Sequence, residues 1–403
     1  MATWGPDAAS AREALAAASE PVERVDTRSA HPDVADGIAL CLSGGGYRAM
    51  LFHLGALWRL NELGYLPRLA RISSVSGGSI TAGLLGLKWA RLDFDQAGVA
   101  RRFEAEVVGP LRALAGCTLD AESVIEGVLI PGRSVADRVA AAYRTHLFGD
   151  ATLQDLPDDP PRFVINATNV QSGALWRFMK PYMRDYRVGE VPRPRIGLAT
   201  AVAAASAYPP VLSPLTLTLA MDDYGPPAGG SEDLHSAPFM TRVVLTDGGV
   251  YDNLGLETAW KRYRTILVSD GGSKTQPEAE PKTDWVRHSV RVNDLTDNQV
   301  RSLRKRQLIA SFVTSTRAGT YWGIRTDITH YGLLDALFCP VGQTRVLAGL
   351  PTRLQTLEPV VQERVINWGY AVSDAAMRRH VEPDAEAPPS FPYRASGIGG
   401  AGR

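Results

Sequence analysis

Short apolar runs alternate along the chain with segments of helical periodicity. Residues 37–42 and 69–75 are such runs, and each is followed by a glycine-containing turn. After these turns, the segments 47–63 and 79–92 repeat apolar residues at the spacing of an amphipathic helix. Short apolar runs between turn residues are typical of strands buried on both faces, as in a parallel sheet. The pattern therefore predicts two successive strand–turn–helix units.

The same alternation continues towards the C-terminus. Strands alternating with helices are characteristic of an α/β fold, because the helices connect parallel strands and cover the faces of the sheet. We therefore predict a layered α/β fold with a mostly parallel central sheet. Its further strands are predicted at 162–167, 241–245 and 265–268, and its further helices at 95–115, 135–147, 296–313 and 354–377.

The pattern indicates one large domain rather than several. No clear linker or internal repeat divides residues 37–382, which are therefore predicted to form one α/β domain. Residues 1–36 are predicted to be a helical and polar N-terminal extension, with a helix at 8–20. Residues 383–403 contain a proline-rich stretch followed by a glycine-rich stretch, so a disordered C-terminal tail is predicted.

The composition argues against several classes of protein. The 403 residues include 43 lysines and arginines and 43 aspartates and glutamates, so the formal net charge is +0. This balance argues against a protein that works mainly by binding nucleic-acid phosphates, and no nucleic-acid partner is expected. Hydrophobic residues make up 45% of the chain, which is ordinary for a globular protein and argues against disorder.

The cysteines and the apolar runs indicate a cytoplasmic location. Cys41, Cys117 and Cys339 are far apart and form no CxxC pair, which argues against a zinc ribbon or a thioredoxin-like site. We expect three reduced thiols in a reducing compartment. The first residues lack the pattern of a secretory signal, and no apolar run is long enough to span a bilayer. We therefore expect a cytoplasmic protein with, at most, a peripheral contact at the inner membrane surface.

A run of three glycines marks the first candidate site. Gly44, Gly45 and Gly46 follow a predicted buried strand and lead into a helix. Backbone N–H groups in such a turn can point together at an anion, assisted by the dipole of the following helix. The anion could be a nucleotide phosphate or the oxyanion of an acyl transfer. The dinucleotide fingerprint GxGxxG is not met, because Ala49 stands where its last glycine would fall.

Ser76 is the candidate nucleophile. The segment Ser-Val-Ser-Gly-Gly at 74–78 is close to GxSxG and lies between a predicted strand and a predicted helix. A nucleophile elbow needs a serine on a tight strand-to-helix turn with small neighbours, because the backbone there is strained. The structural alternative is a tight turn in which the serine caps the helix.

Two aspartates are candidate acids or bases. Asp247 and Asp270 each follow a predicted strand and precede two glycines, and the residues alone do not choose between them. Active sites of open α/β sheets lie at such strand ends. The available histidines for a Ser-Asp-His order, at positions 288, 330 and 380, do not lie in glycine-flanked loops at strand ends. His53, on the first helix, is predicted to be a structural histidine with its polar atoms satisfied.

Taken together, these motifs resemble the signature blocks of the patatin-like phospholipases, and the sequence looks closest to the bacterial members. The blocks are Ser-Gly-Gly-Gly-Tyr-Arg at 43–48, Ser-Val-Ser-Gly-Gly at 74–78 and Asp-Gly-Gly at 247–249. The resemblance covers roughly residues 37–270 and implies a three-layer α/β/α fold. Two small departures from the pattern are Ser74 in place of the first glycine of GxSxG and Ala49 after the arginine.

The resemblance implies a Ser-Asp dyad without histidine. Ser76 matches the nucleophile, and Asp247 matches the acid of the DG[GA] motif, which favours it over Asp270. The first glycine block, Gly44 to Gly46, matches the oxyanion loop, and Gly77 and Arg48 are assigned to the same anion-binding region. No metal and no cofactor are expected.

The implied function is that of a serine lipid acyl hydrolase of the phospholipase A or lysophospholipase kind, with a phospholipid or another acyl ester as substrate. A general carboxylesterase or acyltransferase is the related alternative. A regulated effector and a non-catalytic scaffold on the same fold are further alternatives. The sequence predicts neither an oligomeric state nor an activating ligand.

A basic cluster falls within a predicted helix. It comprises Arg301, Arg304, Lys305 and Arg306. Such a cluster could form an interfacial helix that binds anionic lipid, or a surface for a protein partner. The alternative is a solvated basic face above an apolar stripe that packs on the core.

Overall fold

The computed structural model describes residues 34–119, 134–227 and 232–399. The helix predicted at 8–20 lies outside these ranges. Within them, no helix is both long enough and apolar enough to cross a membrane.

A ten-stranded sheet forms the centre of the molecule, in the strand order β10-β9-β1-β2-β3-β4-β5-β6, with β8 pairing with β3 and β7 pairing with β8. The five strands from β10 to β3 are parallel, whereas β4, β5 and β6 extend the sheet as antiparallel strands. The strands are β1 Ala35–Leu42, β2 Leu69–Val75, β3 Arg162–Asn169, β4 Leu175–Phe178, β5 Tyr182–Asp185, β6 Gly189–Pro192, β7 Leu215–Thr218, β8 Arg242–Asp247, β9 Tyr263–Asp270 and β10 Ala318–Gly323.

Helices cover both faces of this sheet, which confirms the predicted three-layer α/β/α fold. They are α1 Gly46–Glu62, α2 Gly77–Lys88, α3 Gly109–Ala115, α4 Val135–Tyr143, α5 Leu198–Ala205, α6 Gly249–Asp252, α7 Glu257–Trp260, α8 Trp285–Val313, α9 Val341–Ala348 and α10 Pro359–His380.

The alternation of side chains along β1 divides the core into two parts. Leu40 and Leu42 join the large core, which also contains the buried sides of α1, α2 and α10. Ala39 and Cys41 point to the opposite face, where they join a smaller core with residues of α7 and with Leu308 of α8. Because successive side chains of a strand point to opposite faces, a central strand covered on both sides must be apolar throughout. This is why β1 has the continuous apolar sequence from which it was predicted.

The strand that carries Asp247 runs in an unexpected direction. The sequence predicts a strand at 241–245 within a mostly parallel sheet, but β8 is antiparallel to β3. Strand β3 pairs with β2 up to Asn166, opposite Val75, and with β8 from Ala167, opposite Asp247. Strands β2 and β8 therefore meet end to end along β3.

Several predicted boundaries differ from the structure for local reasons. The helix predicted at 95–115 begins only at a π-helical turn, Glu104–Val108, because Asp95 accepts hydrogen bonds from the N–H groups of Ala97 and Val99. The helix predicted at 296–313 begins earlier, at Trp285, where the side chain of Asp284 caps it.

The predicted disorder of the C-terminal tail is wrong for the described residues up to 399. Ile398 is buried, and Tyr393 packs against the large core. The side-chain amide of Asn367, on α10, donates to the carbonyl oxygens of Tyr393 and Gly397 and accepts from the N–H of Tyr393. An asparagine on α10 thus holds a segment whose composition alone suggested disorder.

Candidate active site

Ser76 lies on a strained turn between β2 and α2. Its φ of 51° and ψ of −124° are unusual for a residue with a side chain, and its side chain makes no capping hydrogen bond. A Cβ on Gly77 would lie 2.2 Å from the carbonyl oxygen of Gly46, and one on Gly78 would lie 2.5 Å from that of Leu42. The backbone is therefore that of a nucleophile elbow, not of a serine helix cap.

Asp247 is the last residue of β8, and this strand approaches the turn at Ser76 from the opposite direction to β2. Its strand partner on β3, Ala167, directly follows Asn166, the partner of the last residue of β2. Ser76 begins the turn immediately after that residue. Two chain segments far apart in sequence thus bring the predicted nucleophile and the predicted acid together.

The carboxyl group of Asp247 is buried and only partly hydrogen-bonded. Oδ1 accepts a hydrogen bond of 2.7 Å from the N–H of Gly249. Oδ2 is buried without a hydrogen-bond partner in the described part of the chain. Burial raises the pKa of Asp247 to about 7, against the opposing effects of the Gly249 N–H and the Ser76 hydroxyl, and the charge of Asp297 raises it further. The group can therefore exchange a proton near neutral pH.

The glycine loop lies directly against Ser76. A Cβ built on Gly44 would lie 3.1 Å from that of Ser76. The N–H of Gly44 is engaged, since it donates to both the side-chain and the backbone oxygen of Asn253, each at 3.1 Å. Within the described chain, the N–H groups of Gly45, Gly46 and Gly77 make no hydrogen bond. These three, rather than Gly44, are the donors that remain for an anion.

Arg48 braces the glycine loop. Its side chain is 1% exposed, and its guanidinium donates to the carbonyl oxygens of Gly271 and Leu350 and to the hydroxyl of Thr352. Burial lowers the pKa of Arg48 to about 10. Because its donors are used within the protein, the structure favours a role in holding the loop over a direct contact with a lipid phosphate.

Asp270 belongs to a different environment from Asp247. Its carboxylate accepts hydrogen bonds from the Gly272 N–H and the Tyr321 hydroxyl. Although burial acts to raise the pKa of Asp270, the charge of Arg301 and these hydrogen bonds hold it below its usual value. A carboxylate stabilised in its charged form is a poor base, so the geometry supports Asp247.

His53 is the structural histidine that the sequence predicts. Its two ring nitrogens lie 2.7 Å from the Ser269 hydroxyl and 2.9 Å from the Ser43 carbonyl oxygen. Burial lowers its pKa to about 4, so the ring is neutral at pH 7. No histidine of the described ranges forms a hydrogen bond with Ser76 or Asp247.

Two residues near the candidate site were given no role from the sequence. Asn253 holds the N–H of Gly44, and its side-chain nitrogen donates to Asp297 at 3.3 Å. Asp297, on α8, in turn acts electrostatically on Asp247. Asn253 lies close enough to the Asp-Gly-Gly block to be noticed, but nothing in the sequence indicates that α8 contributes to the site.

The predicted basic cluster does not form one surface. Arg301 is buried and donates to the carbonyl oxygen of Ser273. Arg304 forms ion pairs with Asp252 and Glu257 at 3.6 and 3.2 Å. Half of the charge of the cluster is therefore directed into the protein.

The other two basic residues of the cluster are exposed. Lys305 and Arg306 both reach solvent, although the Lys305 ammonium lies 4.4 Å from the centre of the Tyr321 ring. The positive surface that this part of α8 presents is therefore smaller than the sequence suggests.

Comparison with known families and structures agrees with this architecture. The patatin-like phospholipase family model matches residues 40–260, which is more than half of the chain. The chain therefore belongs to the patatin-like phospholipase family, and this membership supports a lipid acyl hydrolase at the level of the family. A comparison with curated proteins finds no match.

Among solved structures, the chain is similar to human GIVD cytosolic phospholipase A2. The identity is 14% and the TM-score 0.51, and the match covers 91% of this chain and 61% of that protein. The complex of the human enzyme with methyl gamma-linolenyl fluorophosphonate gives 14% and 0.50, covering 88% and 60%. This chain thus spans about three fifths of the human enzyme, and at this identity the likeness shows the fold alone.

Proposed function

We propose that this protein is a serine hydrolase that cleaves fatty-acyl esters of lipids through Ser76 and Asp247. The observation that carries the proposal is the end-to-end meeting of β2 and β8 along β3, which brings a strained serine to a buried carboxyl group. A site built only for structural reasons would need neither the strain at the serine nor the unpartnered carboxylate oxygen.

The first step transfers the acyl group to the protein. Oγ of Ser76 attacks the ester carbonyl carbon while the carboxylate of Asp247 accepts the hydroxyl proton. The tetrahedral intermediate then collapses, the bond to the leaving alcohol breaks, and Asp247 returns the proton to the alcohol oxygen. The products of this step are a free alcohol, such as a lysolipid, and an acyl-serine ester.

Backbone donors of the glycine loop stabilise the negative charge that develops on the carbonyl oxygen. The candidates are the N–H groups of Gly45, Gly46 and Gly77, which have no other partner in the described chain. Each such donor is typically worth ~10²–10³ in rate. Asn253 and Arg48 position the loop on either side, through Gly44 and through the carbonyl oxygen of Gly271.

Water completes the cycle. Asp247, again a carboxylate, removes a proton from water as its oxygen attacks the acyl-serine carbonyl, and the proton then passes to Oγ of Ser76. The fatty acid leaves and the free serine is restored. The complete reaction consumes only the ester and one molecule of water.

The test is identification of the released products by mass spectrometry. Purified wild-type protein, incubated with a mixed lipid extract, is expected to release fatty acid, and Ser76→Ala to reduce the rate at least ~10³-fold without a change in fold. The control is Ser311→Ala, because Ser311 is also 7% exposed but its hydroxyl donates to the carbonyl oxygen of Leu308 within α8. Full activity in purified Ser76→Ala would contradict the proposal.

A comparison of substrates tests which kind of ester the protein cleaves. Faster cleavage of phospholipid vesicles than of short-chain esters supports a phospholipase, and the reverse order supports a general carboxylesterase. A peripheral membrane contact and a cytoplasmic location stay predictions. Of the basic cluster, Lys305 and Arg306 are the members exposed for such a contact.

A further inference from the structure

A cavity of about 360 Å³ lies beside the segment that follows Asp247. Arg177 of β4 contributes to its lining, as do Tyr251, Lys261 and Arg262 from the chain after the catalytic strand. Neither Ser76 nor Asp247 lines it. The cavity is therefore separate from the candidate active site, although one chain segment borders both.

Arg177 and Arg262 line this cavity, and two further arginines, Arg184 and Arg71, lie close to Arg177. Arg177 and Arg184 are direct partners on the antiparallel strands β4 and β5, where like charges are unfavourable. The register through Asn166 and Val75 places Arg71 on the same face of the sheet. Burial lowers the pKa of Arg177, and the charges of Arg184, Arg262 and Arg71 lower it further. The guanidinium group of Arg177 is thus close enough to the other three to be repelled by them.

Part of this cluster has unsatisfied donors. Arg71 is 3% exposed, and its Nε and Nη1 atoms are buried without a hydrogen-bond partner in the described chain. The Nε atoms of Arg177 and Arg184 are in the same condition. Buried donors of a charged group are costly to leave unpaired, and native proteins seldom do so without a reason.

Neighbouring acids neutralise only part of the cluster. Glu257, which also lines the cavity, forms ion pairs with Lys261 at 2.5 Å and with Arg304 at 3.2 Å. Arg184 forms ion pairs with Glu190 and Glu232 at 3.6 and 4.0 Å. No ion pair reaches Arg71 or Arg177 within the described ranges. The lining therefore combines an excess of positive charge, from Arg177, Lys261 and Arg262 against Glu257, with an Nε donor of Arg177 that has no partner in the described chain.

We propose that this cavity is a binding site for a phosphate-bearing anion. Guanidinium groups bind phosphate oxygens in pairs, and a phosphate presents more negative charge and more acceptor oxygens than a carboxylate. A volume of about 360 Å³ accommodates a phosphate or diphosphate together with a small attached group. Either a soluble phosphorylated compound or the headgroup of a phospholipid supplies this chemistry.

The position of the site connects it to the glycine loop. Tyr251 lines the cavity, and Asn253, two residues further on, holds the N–H of Gly44. Asp247 lies at the beginning of the same segment. An anion that contacts Tyr251 therefore touches the segment that carries both the catalytic acid and the anchor of the oxyanion loop. Binding at the cavity does not depend on the hydrolase activity.

The test is binding of pyrophosphate to the full chain, followed by thermal unfolding and calorimetry at matched ionic strength. Pyrophosphate is expected to raise the Tm of the wild type and of Arg101→Met, in which an exposed arginine outside the cavity is removed. Arg177→Met is expected to lose this rise and to weaken binding at least about tenfold. Without the anion, Arg177→Met is expected to unfold at the same temperature as the wild type or a higher one, because repulsion with Arg184 is removed.

A second variant keeps the proposal testable if Arg177→Met does not fold. Arg262 is exposed, so Arg262→Met is expected to fold normally and to weaken binding as well. Equal Tm shifts in the wild type and both cavity variants would overturn the proposal. Binding is also measured in Ser76→Ala. Because this variant lacks the proposed nucleophile, the result distinguishes failure of the anion-binding proposal from failure of the proposed hydrolase function.

Two further arms distinguish the sources of the phosphate. Vesicles containing phosphatidic acid are compared with vesicles of phosphatidylcholine alone, using wild type and Arg177→Met. Arginine-dependent binding to phosphatidic acid without binding of pyrophosphate supports a lipid headgroup, and the reverse supports a soluble ligand. Absence of binding in both arms contradicts the site.

Discussion

The carboxyl group of Asp247 has to be ionised before it can accept the proton of Ser76. Burial raises its pKa to about 7, whereas the N–H of Gly249 and the hydroxyl of Ser76 favour the charged form. A pKa near neutrality makes this carboxylate a stronger base than an ordinary aspartate while leaving it largely ionised above pH 7.

The rate of hydrolysis should therefore depend on pH through Asp247. The value of kcat/KM is expected to rise with pH up to a plateau above about 7, and to fall about tenfold per pH unit below it, since only the ionised form is active. A pH profile of fatty-acid release by the wild type provides the measurement. Asp247→Asn is expected to be inactive throughout, because an amide cannot accept the proton.

The pH dependence of folding stability provides an independent test of the raised pKa of Asp247. Because the folded pKa of about 7 exceeds the ordinary value of 3.8, the contribution of Asp247 to stability is fully present below 3.8 and is lost as the pH rises through 7. Asp247→Asn should therefore gain stability relative to the wild type as the pH rises across this range. A difference in unfolding free energy that stays constant with pH would contradict the raised pKa.

The two central side chains of the proposed dyad could be predicted from sequence, but their supports could not. Ser76 and Asp247 each precede two glycines at a strand end, which is a local signal, but Asp270 has the same signal and only the resemblance to the family favours Asp247. The side chain of Asn253 accepts a hydrogen bond from the N–H of Gly44, and no local sequence pattern predicts a contact between residues so far apart in the chain. Asp297 lies on a helix that looks like an ordinary polar surface helix.

At the scale of elements, α1 and α10 are packed backbone to backbone. A Cβ on Gly55 would lie 1.9 Å from the carbonyl oxygen of Ile366, and one on Gly369 would lie 1.9 Å from that of Phe52. The two glycines therefore permit a close approach that a side chain would prevent. Helix α1 begins at Gly46, so this contact also positions the glycine loop.

Gly55→Ala is expected to destabilise the protein by at least about 2 kcal/mol, because the added methyl group must push the two backbones apart. Thermal or urea unfolding provides the measurement. The control is Gly342→Ala on α9, where an added Cβ meets nothing within 4 Å, and it should be neutral or stabilising. Equal stability of the two variants would contradict the packing described for α1 and α10.

The order of strands and helices was easier to predict than their direction. Apolar runs identify β1 and β2 with their correct positions, because both are buried on two faces. The same signal does not distinguish a parallel from an antiparallel partner, so the reversed direction of β8 was missed. That reversal matters for function, since it brings the end of β8 to the end of β2.

For the molecule as a whole, the balance of 43 basic and 43 acidic residues conceals an uneven distribution. In the basic cluster on α8, Arg304 is paired with Asp252 and Glu257. Arg177 and Arg71, in contrast, form no ion pair within the described residues, although Arg184 beside them is paired with Glu190 and Glu232. Net charge thus predicts neither feature, because each depends on which segments the fold brings together.

Covalent labelling with a fluorophosphonate tests the central claim most directly, since such a probe reports an activated serine whatever its natural substrate. Intact-protein and peptide mass spectrometry should find a single adduct on Ser76 in the wild type and in Ser311→Ala. Labelling should be lost in Ser76→Ala and strongly slowed in Asp247→Asn. An adduct on another residue, or wild-type labelling that survives both substitutions at Ser76 and Asp247, would contradict the account.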